Sequence, residues 1–124
     1  MNEFYHEYNT DENNIIMSND GSYAGYINRF NQKLFLTSHC NKCIIKFPNL
    51  NESYLFYYLK SIQKKLIIHE NKGGYQKGQA QPSINIPKMY REIKILVPSS
   101  EDQEKVVAMI QAINDEESEF NNWR

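Results

Sequence analysis

Pro98 separates two incompatible hydrophobic periods, and that junction constrains the chain more than any other feature. Before it, residues 93–97 read Ile-Lys-Ile-Leu-Val, an alternation of period two that predicts a short strand. Proline has no amide hydrogen to continue a ladder, so the strand ends there. After it, Ser100 with Gln103 forms a capping-box pair, and Glu101 and Asp102 sit where a helix dipole favours negative charge. An amphipathic helix over residues 100–124 follows. Val106, Ile110, Ile113 and Phe120 fall on one seam at alternating steps of four and three, broken by Glu117. That seam either seals the domain's own core or pairs with another helix, and pairing with a second copy would give a homodimer.

The remaining elements are shorter. Residues 14–17, Asn-Ile-Ile-Met, predict a strand, and Asp20-Gly21 supplies a hairpin turn because both positions tolerate positive φ. Residues 23–30 alternate imperfectly around Ala24-Gly25, where a glycine inside a strand marks a bulge or a close backbone approach. Residues 34–37 and 43–47 predict two more strands, the second ended by Pro48. A helix opens at Asn51-Glu52-Ser53, with Leu55, Tyr58, Leu59, Ile62 and Leu66 at helical spacing, and it fades before Lys72-Gly73-Gly74. Residues 73–83 form a loop with three glycines, three glutamines and a proline. A brief strand at Ile84 and Ile86 and a single helical turn over residues 87–90 lead back to the Pro98 junction. The expected fold is α+β: a curved, mostly antiparallel sheet with one helix packed on it and a C-terminal helix projecting away.

With 124 residues the chain has room for one domain. No apolar run approaches a membrane span, and the acidic start Met-Asn-Glu-Phe-Tyr-His-Glu-Tyr is unlike a signal peptide, so a soluble, cytoplasmic protein is expected. The net charge of -1 conceals segregation. Residues 1–20 carry five acids and no Lys or Arg, residues 101–124 balance at -5, and residues 21–100 balance at +9. A basic middle between acidic ends suits a polyanion-binding surface or, equally, a solvated charge pattern.

Catalytic signatures are missing: there is no nucleophile elbow, Walker loop, His-Glu-x-x-His or nucleotide-binding glycine loop, and no enzyme activity or cofactor is expected. The cluster His39-Cys40-Asn41-Lys42-Cys43 falls short of four zinc ligands, since only His6 and His69 remain elsewhere. Two reduced cysteines flanking a turn are the default, and no metal site is expected. The polar loop carries a clearer signal. Glutamine pairs with adenine through N6 and N7, lysine meets phosphate or guanine, and glycine lets backbone amides approach a phosphate. Lys72, Gln76, Lys77 and Gln79 are candidates on that ground, with Tyr75 as a stacking residue.

The order of segments from residue 73 to residue 113 resembles the closing section of a target-recognition domain from a type I restriction–modification specificity subunit. The quoted features are the polar loop, Ile-x-Ile, a turn, Ile-x-Ile-x-Val-Pro and then Glu-Asp-Gln-Glu-x-Val-Val. Residues 15–26 are similar to that family's strand, glycine turn and small-Gly-aromatic run, and residues 50–62 to its Tyr-Leu-rich helix. The likeness covers about residues 14–115. It implies a module that binds double-stranded DNA without catalysis, through Ser22, Tyr23, Tyr26 and Arg29 from the front and Lys72, Tyr75, Gln76, Lys77, Gln79 and Gln81 from the loop. In that family Gln81 and Ser83 can also hold the loop in shape. Methyltransferase or restriction subunits would be its partners. The other reading is a protein-interaction module acting through the C-terminal helix. Three departures accompany the likeness: one domain where two are usual, an acidic segment 1–13 in place of N-terminal strands, and a final helix that is short for a spacer.

Overall fold

Asn14–Ser18 (β1) is the central strand of the larger sheet, because its Asn-Ile-Ile-Met stretch is buried along its whole length. The computed structural model describes residues 10–122, the side chains of residues 120–122 excepted; the acidic start of the chain and the Phe120 side chain lie outside the described residues. Ile27–Phe30 (β2) pairs antiparallel on one side of β1, with Met17 opposite Ile27 and Asn14 opposite Phe30. Cys40–Lys42 (β3) pairs antiparallel on the other, with Ser18 opposite Cys40. Ile15 and Met17, two residues apart and so on one face, join Ala24 and Ile27 in the core.

Glu52–Leu66 (α1) covers that core with Leu55 and Leu66. Asn51 caps it as expected, its side chain accepting from the Tyr54 amide at 3.0 Å. The helix also closes the outer edge of β2: Gln63 Oε1 accepts from the Ile27 amide at 2.9 Å and Lys60 Nζ donates to the Ile27 carbonyl at 3.1 Å. A single 3-10 turn at Glu70–Lys72 ends on Gly73 in the left-handed region, at φ 86°. A two-residue ladder follows between Gln76–Lys77 (β4) and Ser83–Ile84 (β5). Ile86–Glu92 (α2) is capped by Asn85, with Pro87 in its first turn where no amide is needed. Ser100–Asn122 (α3) completes the chain.

Four expectations change. The third predicted strand, residues 34–37, is irregular chain. The fourth moves upstream: residues 40–42 pair with β1, followed by one further bond, Cys43 N–H to the Ile15 carbonyl at 2.9 Å. Ile44 and Phe47 beyond it are exposed. The strand predicted from residue 23 begins only at Ile27, since residues 22–25 are a turn. Residues 93–97 keep the alternating burial of a strand but pair with none. Two tyrosines replace the missing neighbour: Tyr54 donates its hydroxyl to the Leu96 carbonyl at 2.7 Å and Tyr58 donates to that of Lys94 at 2.8 Å.

The capping box is also resolved differently. Ser99 is the cap, its Oγ accepting from the Asp102 amide at 3.2 Å. Gln103 therefore turns inward and is fully buried. Its Nε2 donates to the carbonyls of Asn49 at 2.7 Å and Pro98 at 2.9 Å, and its Oε1 accepts from the Asn51 amide at 2.8 Å. One side chain thus joins the starts of both long helices. Gln103→Leu is expected to destabilise the protein by at least about 2 kcal/mol, since each buried polar group left unpaired costs roughly 1–3 kcal/mol. Urea denaturation measures this, and an unchanged midpoint would contradict the role.

Candidate nucleic-acid interface

Two glycine-turned connections, residues 19–26 and 78–82, are stitched together into one rim. Asp20 and Ser83 form an isolated antiparallel bridge. The Gly21 amide donates to the Pro82 carbonyl at 2.8 Å, and the Ile84 amide to the Asn19 carbonyl at 2.9 Å. Gln76 Nε2 adds a bond to the Ala24 carbonyl at 2.7 Å. Gly25 sets the rim's depth: it has φ +98°, and a Cβ there would lie 3.0 Å from the Leu66 backbone. Only glycine meets both demands without strain. The close approach expected of this glycine is therefore present. Gly78, at φ +83°, turns the second connection.

Outside this frame the rim presents Ser22, Tyr23, Lys77, Gln79 and Gln81, all exposed. Tyr23 is 67% exposed, and the half-buried Tyr26 braces it edge-on with ring centroids 5.4 Å apart. Lys72 is exposed on the 3-10 turn that precedes β4. Thus members of both halves of the predicted set, from the turn at residues 19–26 and from the distant polar loop at residues 77–82, meet in space.

Three members of the set serve the frame instead. Tyr75 is 1% exposed and belongs to the core, so its ring is not available for stacking on a base. Its hydroxyl donates to Glu92 at 3.2 Å, and Lys88 lies 5.0 Å from the ring centroid. Gln76 spends its amide on Ala24, as described. Arg29 lies against α1: its guanidinium sits 4.5 Å from the Phe56 ring centroid and donates to Ser53 Oγ at 2.9 Å. The basic middle is likewise partly committed, with Lys42 bonded to Asp11 at 2.6 Å and Lys88 to the Gly74 carbonyl at 2.8 Å.

Asp20 and His39 join the rim unforeseen. His39 Nδ1 lies 2.9 Å from the Asp20 carboxylate, and the Asn19 amide donates to the His39 carbonyl at 2.8 Å. No local signal links residues so far apart, and in sequence His39 stands out only beside Cys40 and Cys43, as a candidate metal ligand. Among the described residues no group of three or more His, Cys, Asp or Glu could hold a metal ion. Cys40 and Cys43 are both free thiols, and burial pushes that of Cys43 above the ordinary range.

Burial, followed by the hydrogen bond and charge of Glu92, raises the Tyr75 phenol above the usual tyrosine value. A folded-state value raised above the unfolded one gives stability that is present below the unfolded value and lost as pH rises through the folded one. Tyr75→Phe is therefore expected to flatten the alkaline loss of stability, as followed by denaturation at increasing pH. An unchanged alkaline profile would contradict the placement.

A family model described as "Type I restriction modification DNA specificity domain" matches residues 1–123. Among solved structures, the S subunit of a type I restriction-modification system from M. genitalium superposes with a TM-score of 0.66 over 88% of this chain, at 19% identity. That likeness shows a shared fold, and the present chain spans 28% of that subunit's length. No curated protein matches the chain in sequence.

Proposed function

The chain belongs to the type I restriction modification DNA specificity domain family, and from that premise we propose that it is a single recognition domain that binds double-stranded DNA through the rim and catalyses nothing itself. The observation that carries the reading is the stitching of residues 19–26 to residues 78–82, which fixes two short, exposed, polar connections side by side. Lys77 and Lys72 meet phosphates, while Gln79 and Gln81 reach adenine edges, where a bidentate amide pair discriminates between bases. Ser22 and the braced Tyr23 extend the contact from the other connection. Tyr75 and Gln76 support this surface from within, while Arg29 packs on the first turns of α1. Methyltransferase or restriction subunits supply the chemistry, and the setting is the cytoplasm, where such DNA is met.

A second reading rests on α3. Beyond Gln103 it projects with residues 111–119 exposed throughout, and Ile113 is 54% exposed. Of the seam, Val106 and Ile113 are exposed and Ile110 is half-buried. We take α3 as an association element, for a partner subunit or a second copy, operating alongside DNA binding.

Binding to duplex DNA should weaken with salt at a log–log slope of about -0.9 for each phosphate neutralised. Lys72→Ala with Lys77→Ala should weaken binding to every sequence and flatten that slope. Gln79→Ala should relax preference at one position, at a cost of about 1–3 kcal/mol. A double lysine variant that binds as the parent does, or an affinity indifferent to salt, would overturn the reading.

A further inference from the structure

An apolar groove of about 600 Å³ opens over the core and shares no residue with the rim. Its floor includes Leu55 and Leu66, one wall is formed around Ile45, and the other by Met89, Ile93 and Ile95. Apolar side chains continue onto its lips: Ile44 is 70% exposed, Phe47 53% and Tyr90 75%. Contiguous exposed apolar surface of this kind marks an interaction site. Lys42 and Lys46 also line it, and Arg91 and Lys94 lie on the elements that form its second wall.

The same chain carries a surface of opposite character. On α3, Val106, Met109 and Ile113 lie on one stripe and are 38%, 64% and 54% exposed. Seven acids against Lys105 make the helix strongly negative. Past Ile110 its residues are all exposed through residue 119, and an isolated stretch of helix that short is marginal in water. The groove's second wall, residues 93–97, leads through Pro98 directly into α3, so groove and helix base adjoin within one protomer.

We infer that the groove receives α3 of a second copy of this chain, each protomer lending its helix to the other's groove around a two-fold axis. The inference rests on the reading of α3 as an association element and names the surface it meets. The acidic flanks of the helix answer Lys46 and Lys94 beside the groove, Lys42 being held by Asp11, and the apolar stripe covers Ile44, Phe47 and Tyr90. Because every helix leaves one protomer and fills the other, the interface is self-complementary and closes at two copies.

Sedimentation of the full chain at micromolar concentration tests this with a groove variant, Ile44→Glu with Tyr90→Glu, and a helix variant, Met109→Glu with Ile113→Glu. All four positions are exposed, and circular dichroism checks that each variant is folded. The wild type is expected to be a dimer and each variant alone a monomer. An equimolar mixture of the two is expected to recover heterodimer, since one copy keeps an intact groove and the other an intact helix. A groove variant that dimerises like the wild type would show helix-to-helix pairing, and a mixture without recovery would show that groove and helix do not meet; either result overturns the groove assignment alone. A monomeric wild type would overturn both the assignment and the association reading beneath it.

Discussion

The amide of Gln103 is the joint on which the architecture turns. It is fully buried, and it bonds to the amide of the α1 cap Asn51 and to the carbonyl of Asn49 before it, as well as to the carbonyl of Pro98. Asn51 caps α1 with its side chain while its own amide is held by Gln103, so the starts of the two long helices are fixed by one connected set of bonds. Such a network is stable because every member has a partner, and a half-satisfied version would be worse than an apolar contact. The extended residues 93–97 hang between this joint and α2, and the hydroxyls of Tyr54 and Tyr58 hold them without a neighbouring strand.

For the proposed DNA contact the frame matters because it leaves the rim little freedom. Gly25 presses against the carbonyl end of α1, Gln76 ties the small ladder to Ala24, and Tyr75 anchors the same segment in the core. Connections pinned at their bases in this way hold Ser22, Tyr23, Lys77, Gln79 and Gln81 with less ordering left to do on binding. Asp20, bonded to His39, places a carboxylate on a surface otherwise suited to a polyanion. In the proposed DNA contact a carboxylate there would accept from the amino group of cytosine and would not meet a phosphate.

Much of this was legible in the sequence wherever the signal was local. The β1 strand, the Asn51 cap, the stop at Gly73 and the α2 turn around Pro87 each follow from neighbouring residues. Long-range pairing was not legible. The alternation in residues 93–97 reports alternating burial, which a tyrosine pair satisfies as well as a strand does. The polar composition around Tyr75 and Gln76 reads as surface, yet both are consumed by partners distant in sequence. Gln103 has the spacing of a capping box, but Ser99 takes that task one residue earlier and releases it for the interior. For the site, the residue types were visible, whereas their division into frame and surface depended on tertiary contacts.

The most direct test of a DNA-reading rim is a map of backbone amide chemical shifts during titration with a short duplex. The account predicts perturbations concentrated in residues 20–23 and 77–81 and at Lys72 and His39, with Tyr75 and residues 111–119 of α3 left quiet. Perturbations centred on α3 or on the groove with a silent rim, or no perturbation by duplex at low salt, would contradict it.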